Sequence, residues 1–298
     1  MKTALVVGSE GNIGKPLARS LREDGFDVVG LDIKPGWRDD FYVADINHPI
    51  DLMDAFDRKP DVIYLLSAMV SRVTCEQASS LAISTNLGGV NNVIQLTKRV
   101  GAKLVYFSTS EVYGPGVNPM SEALKDPAPN NRYGLSKLLG EALIEYEVRQ
   151  YGLKAVTLRP FMMYDENEDL GDHRSAMIRF AYNLGHGRPI DVHMGSARGW
   201  LHVTDAVRAI RAAAEIKEYL IINIGHPDIR PIDELAEMVR ARLGASSNLV
   251  RITALPERMT LEKNPTLDRM RDVLGVVPTV SLEEGVDRVC RRIEGLRA

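Results

Sequence analysis

Short apolar runs at residues 4–7, 26–31, 41–44, 61–66, 103–107 and 154–158 read as buried strands, continuous and bounded by turn formers. Helical stretches alternate with them: one ending near residue 22, one over 81–99 and one over 133–151. This alternation predicts an α/β fold built on a parallel, doubly wound sheet. Beyond residue 160 the rhythm loosens. A polar stretch over 165–174 suits a loop over a ligand. Then come a helix over 175–186, a short strand over 200–203, a helix over 204–215 capped by Thr204, a strand over 219–224 and a helix over 232–243. Further helices are expected at 266–274 and from 282. The expected organisation is a sheet domain over 1–160, completed by segments around 200–225, with a smaller substrate-binding lobe over most of 161–298.

Gly8, Gly11, Asn12, Ile13 and Gly14 form the turn between the first strand and the first helix. A glycine-rich turn there makes a phosphate site, with backbone N–H groups pointing outward and the helix dipole favouring an anion. The spacing is G-x-x-G-x-x-G, one residue wider than the common dinucleotide fingerprint. The sheet is therefore expected to be of the Rossmann type, with residues 1–160 as an NAD-binding domain. Asp32 ends the second strand, where a carboxylate suits ribose hydroxyls and repels a 2′-phosphate; that favours NAD over NADP, with Lys34 close by. Asp45 and Ile46 end the third strand and suit the amino group and ring face of adenine. Leu66, Ser67 and Ala68 follow the fourth strand, where a cofactor backbone passes closely.

Composition narrows the class. The chain has 298 residues, a formal charge of −3, 45% apolar and 26% charged residues, as expected of a globular protein with a substantial core. The near-neutral balance gives no reason to expect nucleic acid or an anionic membrane as partner. No apolar run approaches a membrane span, and the apolar N-terminal stretch is too short for a signal peptide, so a cytoplasmic location is the expectation. Cys75 and Cys290 form neither a metal-type spacing nor a disulfide framework, and no metal is expected.

Tyr133 and Lys137 lie one helical turn apart on a stretch where Leu135, Leu138, Leu139, Ala142, Leu143 and Tyr146 recur at helical spacing. An ammonium beside a phenol favours the phenolate and makes it a usable base. Such pairs are more often a solvated helix face, so the rest of the chain must decide. Ser108, Thr109, Ser110 and Glu111 follow the fifth strand, where ligands of open parallel sheets sit. Glu111 is either an acid/base or a structural carboxylate bonded to backbone N–H groups.

Together with Arg159-Pro160 and the run from Arg198 to Asp205, these motifs resemble the extended short-chain dehydrogenase/reductase family, in its NAD-dependent epimerase/dehydratase branch, over nearly the whole chain. The resemblance implies that Tyr133 takes a proton from a sugar hydroxyl, usually at C4. It further implies that Lys137 lowers the tyrosine pKa and binds the nicotinamide ribose, that Thr109 bonds the same sugar oxygen, and that hydride passes to bound NAD and usually returns. Asn86 resembles an asparagine that orders the site, and Pro160 and Phe161 fit against the nicotinamide. Ser110, Met162, Arg198 and Arg258 are implied on the substrate side, the arginines at the diphosphate. His202 shares a strand face with Arg198 and reads as structural.

Epimerisation of a nucleotide sugar is the expected outcome of this resemblance. Ser110-Glu111 looks most like UDP-glucuronate decarboxylases, so decarboxylation or dehydration is the alternative. Met162 replaces the family's asparagine in Arg159-Pro160-Phe161-Met162-Met163-Tyr164-Asp165-Glu166 and cannot donate its hydrogen bond. A dehydrogenase of a smaller sugar or sugar acid is therefore a third reading, and a non-catalytic dinucleotide sensor a fourth. A homodimer is implied through the helices at 81–99 and 133–151, whose outer faces are otherwise simply solvated.

Overall fold

The computed structural model describes residues 1–36, 40–171, 174–254 and 260–297. Its centre is a parallel sheet of seven strands: β1 (Thr3–Val7), β2 (Asp27–Asp32), β3 (Phe41–Val43), β4 (Val62–Leu65), β5 (Lys103–Phe107), β6 (Ala155–Pro160) and β7 (Ile221–Ile224). The spatial order is β7-β6-β5-β4-β1-β2-β3. The chain winds outward from β1 to β3, then returns and winds the other way from β4. This leaves a crevice at the C-terminal ends of β1 and β4, the place where such sheets bind ligands.

Strand alternation divides the core between the two sheet faces. Ala4 and Val6 pack with Leu17 and Leu21 of helix α1 (Gly14–Glu23). Leu5 and Val7 pack on the opposite face with Val93 and Ile94 of α2 (Val90–Val100) and Ile144 of α3 (Arg132–Tyr151). The expected helix over 81–99 is broken into a short helix Ser79–Ile83, a π-helical turn Ser84–Gly89 and α2. The break faces inward and buries Asn86, which is where a helix bulge serves a side chain.

On α3 the expected apolar stripe is split: Leu135, Leu139 and Tyr146 are exposed, Leu138 and Leu143 pack against the core, and Ser136, Lys137, Glu141 and Glu147 are buried. The helix turns its polar face to the protein because that face has partners there.

A second apolar cluster lies outside the sheet domain. Met177, Phe180 and Leu184 of α4 (Ala176–Gly185) meet Leu235 and Val239 of α6 (Ile232–Arg242) and Val286, Val289 and Ile293 of α7 (Leu282–Arg297). Short strands at Ile190–His193, Ala197–Gly199, Ile229–Pro231, Val250–Thr253 and Glu262–Lys263 accompany it. The expected strand over 200–203 is two pieces, Ala197–Gly199 and Leu201–His202, and α5 (Val203–Ala214) starts immediately after. His202, not Thr204, caps α5: its Nδ1 accepts from the Thr204 N–H at 3.2 Å. The helix expected over 266–274 is confined to Asp268–Asp272. Among the described residues no helix is long and apolar enough to cross a membrane.

Asp205 ties α5 to the approach to α7. Its buried carboxylate accepts from Thr279 N and Oγ1 at 2.8 Å each, from Val280 N at 3.0 Å and from Arg208 Nη1 at 2.8 Å. Burial alone would raise this carboxyl's pKa, but those donors outweigh it and hold it below its ordinary value. Asp205→Ala leaves buried N–H groups unpaired and is expected to lower stability by about 3 kcal/mol, read by denaturant unfolding. In the unaltered chain the stability lent by Asp205 is complete above pH ~4 and is lost as pH falls through the depressed folded value.

Candidate active site

The cofactor half is set by the turn after β1. Gly8 has φ +95° and packs against Ser67 after β4. A Cβ on Gly14 would run into the Gly8 carbonyl oxygen. The turn is thus a tight cradle that side chains would fill, and no side chain caps the N-terminus of α1 above it. Leu66 and Ser67 donate their N–H groups to the Val7 carbonyl at 2.9 and 3.0 Å, which fixes the 66–68 segment beside the cradle. Asp32 accepts from the N–H groups of Glu10 at 2.9 Å and Lys34 at 3.0 Å, one on each oxygen, leaving a lone pair on each for hydroxyls. Asp45 is held through Asn47, and Ile46 is buried against Gly89. These residues fit a dinucleotide: an uncapped helix end for phosphates and an anchored carboxylate for a ribose.

The catalytic half forms where β5 and α3 meet. Asn131 caps α3, its Oδ1 accepting from Gly134 N at 2.9 Å, and this sets Tyr133 in the first turn. The Thr109 and Tyr133 side chains line the cavity together, and Thr109 favours the ionised form of the phenol. Thr109 Oγ1 accepts from Glu111 N at 3.2 Å. Asn86 couples the cofactor and catalytic halves: its amide bonds Met69 N at 2.8 Å, Met69 O at 3.0 Å and Ser136 Oγ at 2.9 Å. Lys137 Nζ lies 4.3 Å from the ring centroid of Tyr106. Beneath it Glu141 takes a bidentate contact from Arg159 at 2.7 and 3.0 Å and accepts from Ser108 Oγ.

The expectation that Lys137 lowers the tyrosine pKa is corrected in this state. Burial pushes the Tyr133 phenol above its ordinary value, the charge of Glu111 adds to this, and only Thr109 opposes it. Burial brings the Lys137 ammonium down to about 7, against the pull of Glu141. Desolvation favours the neutral form of each group, and neither is among the causes of the other's shift.

Tyr133, Thr109, Ser110, Glu111, Asn12, Ile13, Pro160, Phe161 and Met162 all line one cavity of about 700 Å³. Phe161 is packed beside Tyr113 with ring centroids 6.2 Å apart. Glu111 is partly buried and held from two sides: Asn131 Nδ2 donates at 2.9 Å, and Lys263 Nζ forms an ion pair with Oε1. The same ammonium donates to Ser110 Oγ at 3.1 Å. Burial pushes Glu111 up, but Lys263, Arg72 and Asn131 prevail and hold it at about 2. Sequence reading missed Lys263, Arg72, Arg174, Arg179 and His193, which also line the cavity. Lys263 sits in a two-residue strand far from Glu111 in the chain, and no spacing signal connects the two.

Other expected substrate residues fall elsewhere. The Arg198 guanidinium is buried against the carbonyls of Ala197, Thr260 and Leu261 and does not line the cavity. Its strand pairs with Glu262–Lys263, so the arginine is spent on joining chain segments, and burial lowers its pKa to about 10. Arg258 lies outside the described residues. Asp165 lines the cavity, and Glu166 turns to His202 at 2.7 Å. Because His202 Nδ1 accepts from Thr204, its proton is on Nε2 and is donated to Glu166. Asp165, Glu166 and His202 bring three ligand atoms within 4.8 Å of one another, but both nitrogens of this histidine are already engaged. Cys75 and Cys290 are both buried free thiols.

Known proteins share these features. The model of the NAD dependent epimerase/dehydratase family matches residues 4–225. UDP-glucuronic acid decarboxylase 1 of Danio rerio is 26% identical over 96% of this chain and 71% of its own. UDP-N-acetyl-alpha-D-glucosaminuronate decarboxylase of Bacillus cytotoxicus is 28% identical over 96% and 95%. Among solved structures, the UDP-glucose 4-epimerase of Thermotoga maritima with UDP-glucose superposes with a TM-score of 0.92 at 23% identity, covering 99% of this chain and 100% of that one. With its glycine cradle, anchored Asp32 and tyrosine–lysine helix, the chain belongs to the NAD dependent epimerase/dehydratase family and is an NAD-dependent enzyme with the extended short-chain dehydrogenase/reductase fold.

Proposed function

We propose that this enzyme transiently oxidises a sugar carbon, at C4, of a nucleotide sugar. The observation that carries the reading is that Thr109 and Tyr133 line one cavity that also reaches Asn12 and Ile13 of the glycine cradle, with Lys137 buried one helical turn behind Tyr133. NAD, when bound, supplies the acceptor for the hydride and gives it back. Thr109 orients the sugar hydroxyl; Tyr133 gives its own proton to the neutral Lys137 amine and, as phenolate, takes the proton of the hydroxyl, the Lys137 ammonium stabilising the phenolate. Asp32 and the 66–68 segment serve the cofactor, and Asp45 and Ile46 its adenine. Pro160 and Phe161 wall the nicotinamide side, and Ser110 and Met162 face the substrate. Arg174 and Arg179 are the cavity cations that suit a diphosphate in place of Arg198.

A C4 ketone opens several outcomes. Glu111, ionised throughout the neutral range and paired with Lys263, is unsuited to delivering the proton that a dehydration needs. Loss of carbon dioxide from a C5 carboxylate needs only the ketone and a proton afterwards. Decarboxylation of a nucleotide uronate is the outcome we favour; the names of the curated relatives support it. Epimerisation is the second reading, supported by a cavity of about 700 Å³, which leaves room for a keto sugar to turn. A homodimer across α2 and α3 belongs to the same proposal, supported by exposed Leu135, Leu139 and Tyr146.

Two variants test this. Tyr133→Phe is expected to reduce turnover of UDP-glucuronate by about 10³-fold while NAD affinity stays unchanged; undiminished product by NMR would end the proposal. Glu111→Gln strands the Lys263 charge in the wall, so carbon dioxide release from UDP-glucuronate is expected to fall about 100-fold. An unaltered rate would remove Glu111 from the reaction.

A further inference from the structure

Four cations, Arg72, Arg174, Arg179 and Lys263, and four acids, Glu76, Glu111, Asp165 and Glu168, line the cavity, but they are not all paired with one another. Glu111 is matched by Lys263, and Arg174 by Asp169 at 3.2 Å. Glu168 is occupied by Ser175, which donates N–H at 2.9 Å and Oγ at 2.6 Å, and Asp165 by Asn167 N at 2.9 Å. Arg72 opens the short helix Arg72–Gln77, is half-buried and lines the cavity. Among the described residues no hydrogen bond or ion pair engages its guanidinium. Glu76, one turn on, is turned to Arg132 instead, accepting its N–H at 2.9 Å with the guanidinium at 3.5 Å.

Arg72 stands amid the buried charges of the wall. Its field is felt at Glu111, at Lys263 and at Arg198. Glu111 is bonded to Asn131, the cap two residues before Tyr133, so Arg72 addresses the sugar end of the cavity. Arg179, the other lining arginine with no ion pair among the described residues, is exposed on α4 in the second lobe and borders a second, smaller pocket. A half-buried guanidinium without an acid costs free energy that an incoming anion recovers, and its planar fork matches a carboxylate.

We propose that Arg72 is a specificity-determining residue that reads a carboxylate on the substrate's sugar ring, completing a wall in which Lys263 is already committed to Glu111. The inference rests on the nucleotide-sugar reading and adds to it the residue that separates acidic from neutral sugars. Asn131, Ser110 and Thr109 offer neutral hydrogen bonds that either kind of sugar can use; Arg72 adds a half-buried charge that no ion pair among the described residues answers, whereas Arg179 is exposed.

The test uses the full chain with NAD, in a Tyr133→Phe background so that ligands bind without turning over. Calorimetric Kd values are measured for UDP-glucuronate and UDP-glucose, with and without Arg72→Gln or Arg72→Lys. Arg72→Gln is expected to weaken UDP-glucuronate roughly 10- to 100-fold and UDP-glucose less than about twofold, with Arg72→Lys recovering most of the loss. Equal weakening of both ligands would make Arg72 a diphosphate contact and overturn the assignment alone, as would unchanged uronate binding. If the background protein binds neither ligand, the nucleotide-sugar reading fails and this inference falls with it.

Discussion

A helix that turns its charged face inward must find a partner for each charge it buries. Helix α3 does this with Lys137 and Glu141, and the site follows from how the debt of desolvation is met. Glu141 is closed by a bidentate arginine, Arg159, at the end of β6 and by Ser108 at the end of β5. Breaking a buried pair of this kind by removing one partner costs about 3–5 kcal/mol. The network therefore locks α3 against two strand ends, and Tyr133 and Thr109 are brought together as a consequence. Tyr106 closes the remaining side, its ring under the Lys137 ammonium and its hydroxyl donating to the Lys137 carbonyl at 3.4 Å.

The same low-dielectric setting governs the electrostatics of the cavity. Burial leaves Tyr133 reluctant to ionise and Lys137 close to neutrality near pH 7. Both groups are thus biased toward their neutral forms. Glu111 shows the opposite balance: Lys263 and Asn131 overcome burial and keep it charged. Glu111 and Glu141 are each tied to their own cation, Lys263 and Arg159.

Much of this was legible in the residue pattern. The strands of the sheet are short apolar runs; the glycine turn, Asp32 and Thr109 lie at their ends, and Tyr133 and Lys137 are one turn apart at the start of the helix before β6. Local signals failed where tertiary packing decides. Leu135, Leu139 and Tyr146 mark a helix but not which face is buried, because the partners of Lys137 and Glu141 come from β5 and β6. Arg198 has the chemistry of a diphosphate clamp, yet its guanidinium is taken by the carbonyls of a neighbouring segment. Lys263 and Arg72 carry no motif; only the folded chain sets them on one wall with Glu111. The strands of two to four residues in the second lobe are too short for alternation to register.

The central claim is that hydride leaves and returns at one sugar carbon within this cavity. Incubation with UDP-glucuronate deuterated at C4, followed by NMR of the product, tests it directly. Retention of deuterium at C4 in a decarboxylated product is the predicted result, and in an epimerised product it would support the second reading of the same chemistry. A product formed with deuterium lost from C4 would contradict the account.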